Sequence, residues 1–299
     1  MDYNKFTKIV NKHIFGETTL DLLKNLANNP ERFVGLFRPS KPRTKIIQHI
    51  LQSREIKFGD AMEEIISEYL NENGYIIKEN KKIGKGLEVD QYFEDIKGIV
   101  YIIEQKMRDD HDSTKRVGQF NNFREKVKLL YSKYEKNLVA YMYFMDPTMR
   151  KNENYYLDEI TKLINEYKLK EIGLMYGKVF FERFLSTKQW YELLDLLKTW
   201  KEKLQELPDL NLENDENLTE ILSTETGIRL INKLAGNETL WKEGIIKILF
   251  PSKEIWSQLI KNMKKKYETH SKHNLLELKD LSPDYTLVNV LNNMIKKYY

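Results

Sequence analysis

Cysteine is absent from all 299 residues. Its absence excludes disulfide scaffolds, thiolate zinc sites, iron–sulfur clusters and cysteine nucleophiles. It fits a reducing compartment, and a cytoplasmic location is the expectation. Long apolar runs are missing as well. No segment reaches the roughly 20 apolar residues that a membrane span needs. The opening stretch MDYNKFTKIVNKHIF carries Asp2, Lys5 and Lys8 and reads as neither a signal peptide nor a transmembrane helix. A large excess of one charge is also lacking. The 49 Lys and Arg face 45 Asp and Glu, so the net charge of +4 says little about partners and charge has to be read locally. Aromatic residues, by contrast, are plentiful. The 18 Tyr and 13 Phe, within a composition that is 41% hydrophobic, suffice for a substantial core and exclude a disordered chain.

The apolar pattern divides the chain. Residues 1–30 read as two short helices, the second ended by Pro30. Pro39 and Pro42 are expected to keep Arg38–Arg43 out of a regular helix, and a short helix is expected over Thr44–Gln52. Gly59–Leu70 reads as a second helix, with Ala61, Met62, Ile65, Ile66, Tyr69 and Leu70 on one side. Glu64 lies opposite that stripe and Glu63 at its edge. Strands are predicted over Tyr75–Lys78, Leu87–Phe93, Ile99–Lys106, Leu138–Met145 and Ile172–Tyr176, and Val179–Phe184 reads as a short strand or a connection. Asp95–Gly98 reads as a hairpin turn. Helices are predicted over Gln119–Tyr134, Asp158–Tyr167 and from a Ser186 or Thr187 cap to about Glu206. The expected organisation is a helical arm with a basic loop over 1–54, an α/β core over 55–207 and a helical region over 208–299. Residues 208–220 read as a linker.

The chemistry concentrates in Glu88-Val89-Asp90, thirteen residues, then Glu104-Gln105-Lys106. Strand alternation puts Glu104 and Lys106 on one face, and a hairpin can set Asp90 beside Glu104. Two adjacent carboxylates repel unless a cation joins them, and Mg²⁺, a hard ion with oxygen ligands, suits that place. The main-chain carbonyl of Gln105 can add a ligand. Lys106 can orient a water or stabilise charge on a phosphate. Glu63 can add a third carboxylate. An exposed hairpin end carrying Glu and Lys is the alternative reading of the same residues.

In that order the chain resembles the PD-(D/E)XK nucleases, and within them the type II restriction endonucleases. Asp90, Glu104 and Lys106 fall on the three signature positions, with Val89 in place of the proline. GDAMEEIISEYLNENGY resembles the helix before the motif, and LMYGKVFFERF a late strand and turn. The resemblance covers about 55–190. It implies a mixed central sheet flanked by helices and Mg²⁺-dependent hydrolysis of double-stranded DNA. It implies catalytic roles for Asp90, Glu104, Lys106 and Glu63, with metal ligation by Asp90, Glu104 and Gln105. It further implies 5′-phosphate and 3′-hydroxyl ends, a homodimer, a partner DNA methyltransferase and a prokaryotic host. Arg108, Ser113, Thr114, Lys115, Arg116 and Gln119 follow the motif and are candidate DNA contacts. Arg38, Lys41, Arg43 and Lys45 are further phosphate or groove contacts. A solvated loop is the alternative for both groups. The run Lys261–Lys266 reads as a solvated helix face or a backbone-tracking patch, His111 as an exposed loop residue or a general base, and His270 and His273 as exposed or structural. A structure-directed repair nuclease and an inert DNA-binding protein are the competing functional readings.

Overall fold

The computed structural model describes residues 1–16, 18–215, 218, 222, 224–271 and 282–299, without the side chains of 18, 214, 225, 265–271 and 282–286. His273 and the side chains of Lys265, Lys266 and His270 therefore lie outside the description. The chain forms two compact units. The first comprises Met1–His13 and Ile56–Leu204, the second Ile14–Glu55 and Gln205–Tyr299.

The first unit is built on a five-stranded mixed sheet of order β1-β4-β5-β6-β7. Its strands are β1 (Ile76–Ile77), β4 (Gln91–Glu94), β5 (Val100–Lys106), β6 (Leu138–Phe144) and β7 (Glu171–Tyr176). β1, β4 and β5 pair antiparallel, whereas β5, β6 and β7 run parallel. β5 and β6 are buried along nearly their whole length, as the near-continuous apolar runs VYII and LVAYMYF require. Helices α5 (Ser113–Tyr134) and α6 (Glu153–Glu166) cover one face. Phe120, Phe123 and Val127 pack there on Val100, Ile102, Ala140 and Met142. The other face is aromatic. Phe93 and Tyr101 stack with ring centroids 5.0 Å apart, and both meet Phe184 edge-on. Phe184 closes α7 (Lys178–Phe184), which precedes α8 (Thr187–Glu202), capped by Ser186.

Three elements differ from expectation. The two helices expected over 44–52 and 59–70 are one helix, α4 (Pro42–Glu72). Pro42 opens it, since the first helical position needs no N–H and suits a fixed φ. Residues 53–58 contain no breaker, and the lone Gly59 is tolerated. Val179–Phe184 is helical. Gly177 turns into it at φ +51°, where a Cβ would lie 2.7 Å from Pro147. The Leu87–Phe93 strand is broken. β3 (Leu87–Glu88) pairs with β2 (Lys82–Gly84) in a separate ribbon, and the main sheet resumes at Gln91. Asp90 sits in that break.

The second unit contains α2 (Thr18–Asn28), α3 (Glu31–Val34) and the first part of α4, with the C-terminal helices Glu225–Gly236, Glu238–Lys242, Ile245–Leu249, Glu254–Ser271 and Ser282–Tyr298. Its core joins Leu22, Leu26, Phe33 and Ile50 to Leu234, Trp241, Phe250 and Trp256.

Candidate active site

The β4–β5 register pairs Gln91 with Ile103, which carries Asp90 to the level of Glu104. Asp90 is fixed there by its backbone and its side chain together. Its carbonyl accepts from Lys81 Nζ at 2.6 Å, and its Oδ2 accepts from the Gln105 N–H at 2.8 Å. Lys106 Nζ lies 2.8 Å from Asp90 Oδ2 and 2.8 Å from Glu104 Oε1. A single ammonium therefore touches both carboxylates. Burial opposes the charge on Lys106, but Glu104 and Asp90 outweigh it and hold the lysine above its ordinary pKa.

A second cation stands on the far side. Lys126 of α5 is buried, donates to Glu104 Oε2 and lies 3.7 Å from Asp90 Oδ1. Sequence reasoning missed it. The signal was present, because Lys126 interrupts the apolar stripe Phe120, Phe123, Val127 and Leu130 at helical spacing. A lysine on a buried stripe needs an anionic partner.

Glu63 faces the same region from α4. It lines a cleft of about 690 Å³ with Asp60, Glu64, Lys81, Glu88 and Asp90. Burial first, and the charge of Asp90 second, push its carboxyl up to about 7. The neighbouring α4 backbone is locked, since Gln91 Nε2 donates to the Glu63 carbonyl at 2.8 Å and Ser67 Oγ donates to Gln91 Oε1 at 2.7 Å. Glu64, opposite the buried stripe, stays partly exposed and bonds His13 Nε2 at 2.6 Å and Lys12 at 3.3 Å.

The raised acid has a consequence for stability. Above pH 4.5 the unfolded chain loses the Glu63 proton, while the native chain keeps it to about pH 7. The native state binds more protons in that window, so stability falls as pH rises through it, by about 1.4 kcal/mol per unit at most. Glu63→Gln, melted in EDTA, is therefore expected to gain stability over wild type at pH 8 and to match it near pH 4. An equal difference at both pH values would refute the buried acid.

The remaining candidates separate. Ser113, Thr114 and Lys115 are exposed in the first turn of α5, which starts six residues earlier than expected because Asp112 caps it by accepting from the Lys115 N–H. Arg108 is exposed near Asp110, with Nε 3.7 Å from Oδ2. Arg116 is engaged by α6 and its approach, donating to Asn152 Oδ1 at 3.0 Å and lying over the Tyr155 ring. Gln119 accepts from the Tyr156 hydroxyl at 2.9 Å. Gln105 turns its side chain away from Lys106, accepting from Gln91 and reaching Met145. His111 is half-buried, and burial followed by Lys115 lowers its pKa. Arg38, Lys41 and Arg43 are exposed in the second unit, and Lys45 there donates to Gln48.

Asp109 was also missed. It is fully buried and accepts from the Asn152 N–H at 2.9 Å, Asn152 Nδ2 at 2.8 Å and the Tyr176 hydroxyl at 2.9 Å. It ties the segment after β5 to the approach of α6 and the end of β7.

No described helix is long and apolar enough to cross a membrane. No curated protein and no solved structure matches the chain. The family model described as type II restriction endonuclease, HinfI, matches residues 2–88 and 75–201, which together span the first unit save Met1 and its last three residues. A chain matched over two thirds of its length, with a mixed sheet that gathers two carboxylates and a lysine at one strand end, belongs to the HinfI family of type II restriction endonucleases.

Proposed function

We propose that the chain is a site-specific endonuclease of the PD-(D/E)XK kind, which hydrolyses double-stranded DNA with Mg²⁺ and leaves 5′-phosphate and 3′-hydroxyl ends. The observation that carries this reading is the Lys106 ammonium, 2.8 Å from both Asp90 and Glu104. The donor set fits the ion. Asp90, Glu104 and the Gln105 carbonyl offer hard oxygens, and two ammonium groups already mark these oxygens as a place that favours positive charge. Among the described residues no group of three His, Cys, Asp or Glu could hold a metal ion.

Bound there, Mg²⁺ would supply Lewis-acid stabilisation of the charge on the phosphate. Lys106, held protonated, donates to a phosphate oxygen or orients the attacking water and does not serve as a base. Glu63, with a proton affinity near neutrality, is the group suited to take up a proton at working pH. Arg108, Ser113, Thr114 and Lys115, exposed just after β5, contact the adjoining phosphates in this reading. Arg116 and Gln119 support them by fixing α5 against α6. Cutting both strands of a symmetric site calls for a homodimer. Protection of host DNA calls for a partner methyltransferase, and both act in the cytoplasm.

Plasmid and phage DNA digested with Mg²⁺ or EDTA tests this, beside Glu104→Gln, which keeps the shape and an acceptor for Lys126. Discrete bands that need Mg²⁺ and vanish in the variant are the expected result, and end-sequencing then reads the site and end chemistry. A smear would indicate a non-specific or structure-directed nuclease. DNA binding without cleavage would indicate an inert core.

A further inference from the structure

We propose that Leu36 and Phe37 form an apolar wedge that inserts between base pairs of double-stranded DNA, while Arg38, Lys41 and Arg43 hold the flanking phosphates. The proposal rests on the reading of the chain as a DNA-cutting enzyme and names a new contact within it. Leu36 is 90% and Phe37 100% exposed, the two most exposed large apolar side chains among the described residues. Such a pair is costly in water unless something covers it.

The pair is anchored from behind. Phe33 is buried and meets the His49 ring edge-on at 5.5 Å. The Gly35 N–H donates to the Glu31 carbonyl at 3.0 Å, and a Cβ on Gly35 would lie 2.6 Å from that oxygen. Only glycine permits this approach, and its extended backbone ends α3 just before the pair. Pro39 and Pro42 restrict the backbone on the other side. Little backbone freedom is left to lose on binding, which favours insertion.

The charge around the pair selects the occupant. From Arg32 to Arg54 there are six Arg and Lys and no Asp or Glu. Arg38, Lys41 and Arg43 are exposed in this stretch. A second copy of the chain would set these uncompensated cations against one another, which disfavours association. A duplex supplies phosphates for the cations and base faces for Phe37. Apolar side chains flanked by cations are the means by which proteins unstack and kink base steps.

The test uses the full chain in EDTA, so that no strand is cut. Closed circular plasmid is relaxed by a metal-independent topoisomerase in the presence of wild type, Phe37→Ala or Arg43→Ala. Wedge insertion unwinds the duplex, so wild type is expected to shift the topoisomer distribution and Phe37→Ala to lose that shift. Phe37→Ala is also expected to bind a 30-bp duplex about tenfold more weakly with an unchanged salt slope. Arg43→Ala is expected to lower that slope by about one. An unchanged shift in Phe37→Ala, or duplex binding by wild type without any shift, overturns the wedge. So does a Phe37→Ala protein that turns from dimer to monomer while still unwinding plasmid, because the patch then belongs to a second copy. Failure of wild type to bind duplex also overturns it, and the Mg²⁺ digest reports separately whether the nuclease reading stands.

Discussion

Lys126→Met is expected to cost about 3–5 kcal/mol of stability in EDTA, the range for removing one partner of a buried ion pair. In the wild type two ammonium groups face two carboxylates, and Glu104 is almost wholly buried among them. The substitution leaves Lys106 to neutralise both. Methionine nearly conserves the volume, so little of the loss comes from a cavity. Mg²⁺ offers the missing charge, and an ion that binds only the native state stabilises it by about 2.7 kcal/mol at a hundred times its Kd. The wild type gains less, because there an ammonium already occupies the carboxylate oxygens. Urea denaturation of both proteins in EDTA and in Mg²⁺ should therefore show a wide gap that the metal narrows. A gap of equal size in both buffers would mean that the lysine contributes packing rather than charge.

The second large effect is expected at Asp109, which touches no part of the Asp90–Glu104–Lys106 cluster. Asp109→Ala strands the Asn152 N–H and the Tyr176 hydroxyl, while the Asn152 side-chain amide keeps its bond to the His111 carbonyl. Each buried donor left without a partner costs about 1–3 kcal/mol, so a total near 4 kcal/mol is expected. The Tyr176 pKa is raised, by burial first and by its bond to Asp109 second, so the phenol stays a donor that needs an acceptor. Asp109→Asn should recover part of the loss, since its one amide oxygen can still accept. Thermal melts of the two variants check the order. Equal stability of alanine and asparagine variants would show that the carboxylate's acceptors are not what holds the segment.

The sequence carried the site's acidic pair because a hairpin is local. Asp90 and Glu104 are fourteen positions apart, and strand periodicity alone places them together. Lys126 reaches the same carboxylates from a helix, and that meeting depends on how α5 packs, which no spacing in the chain announces. The continuous α4 was missed for a related reason. Pro42 reads as a breaker by residue type, yet at the first helical position it starts the helix. Val179–Phe184 looked like a strand because it is aromatic and β-branched. Its helical form follows from Gly177 and Pro147, whose contact lies thirty residues apart in sequence. The break at Val89-Asp90 left no apolar gap to read, since both flanking pieces are themselves strands.

The interleaving of the two units bears on how the protein is made. The second unit draws Leu22, Leu26, Phe33 and Ile50 from the start of the chain and Leu234, Trp241, Phe250 and Trp256 from its end. On the ribosome residues 14–55 emerge before the sheet of the first unit, which is complete once residue 204 is out. The opening helices wait through that interval with their apolar side chains unmatched, until the last hundred residues arrive. The second unit, begun before the sheet is made, is thus completed last, and a transcript or message cut short after residue 204 would yield a finished sheet attached to half a core.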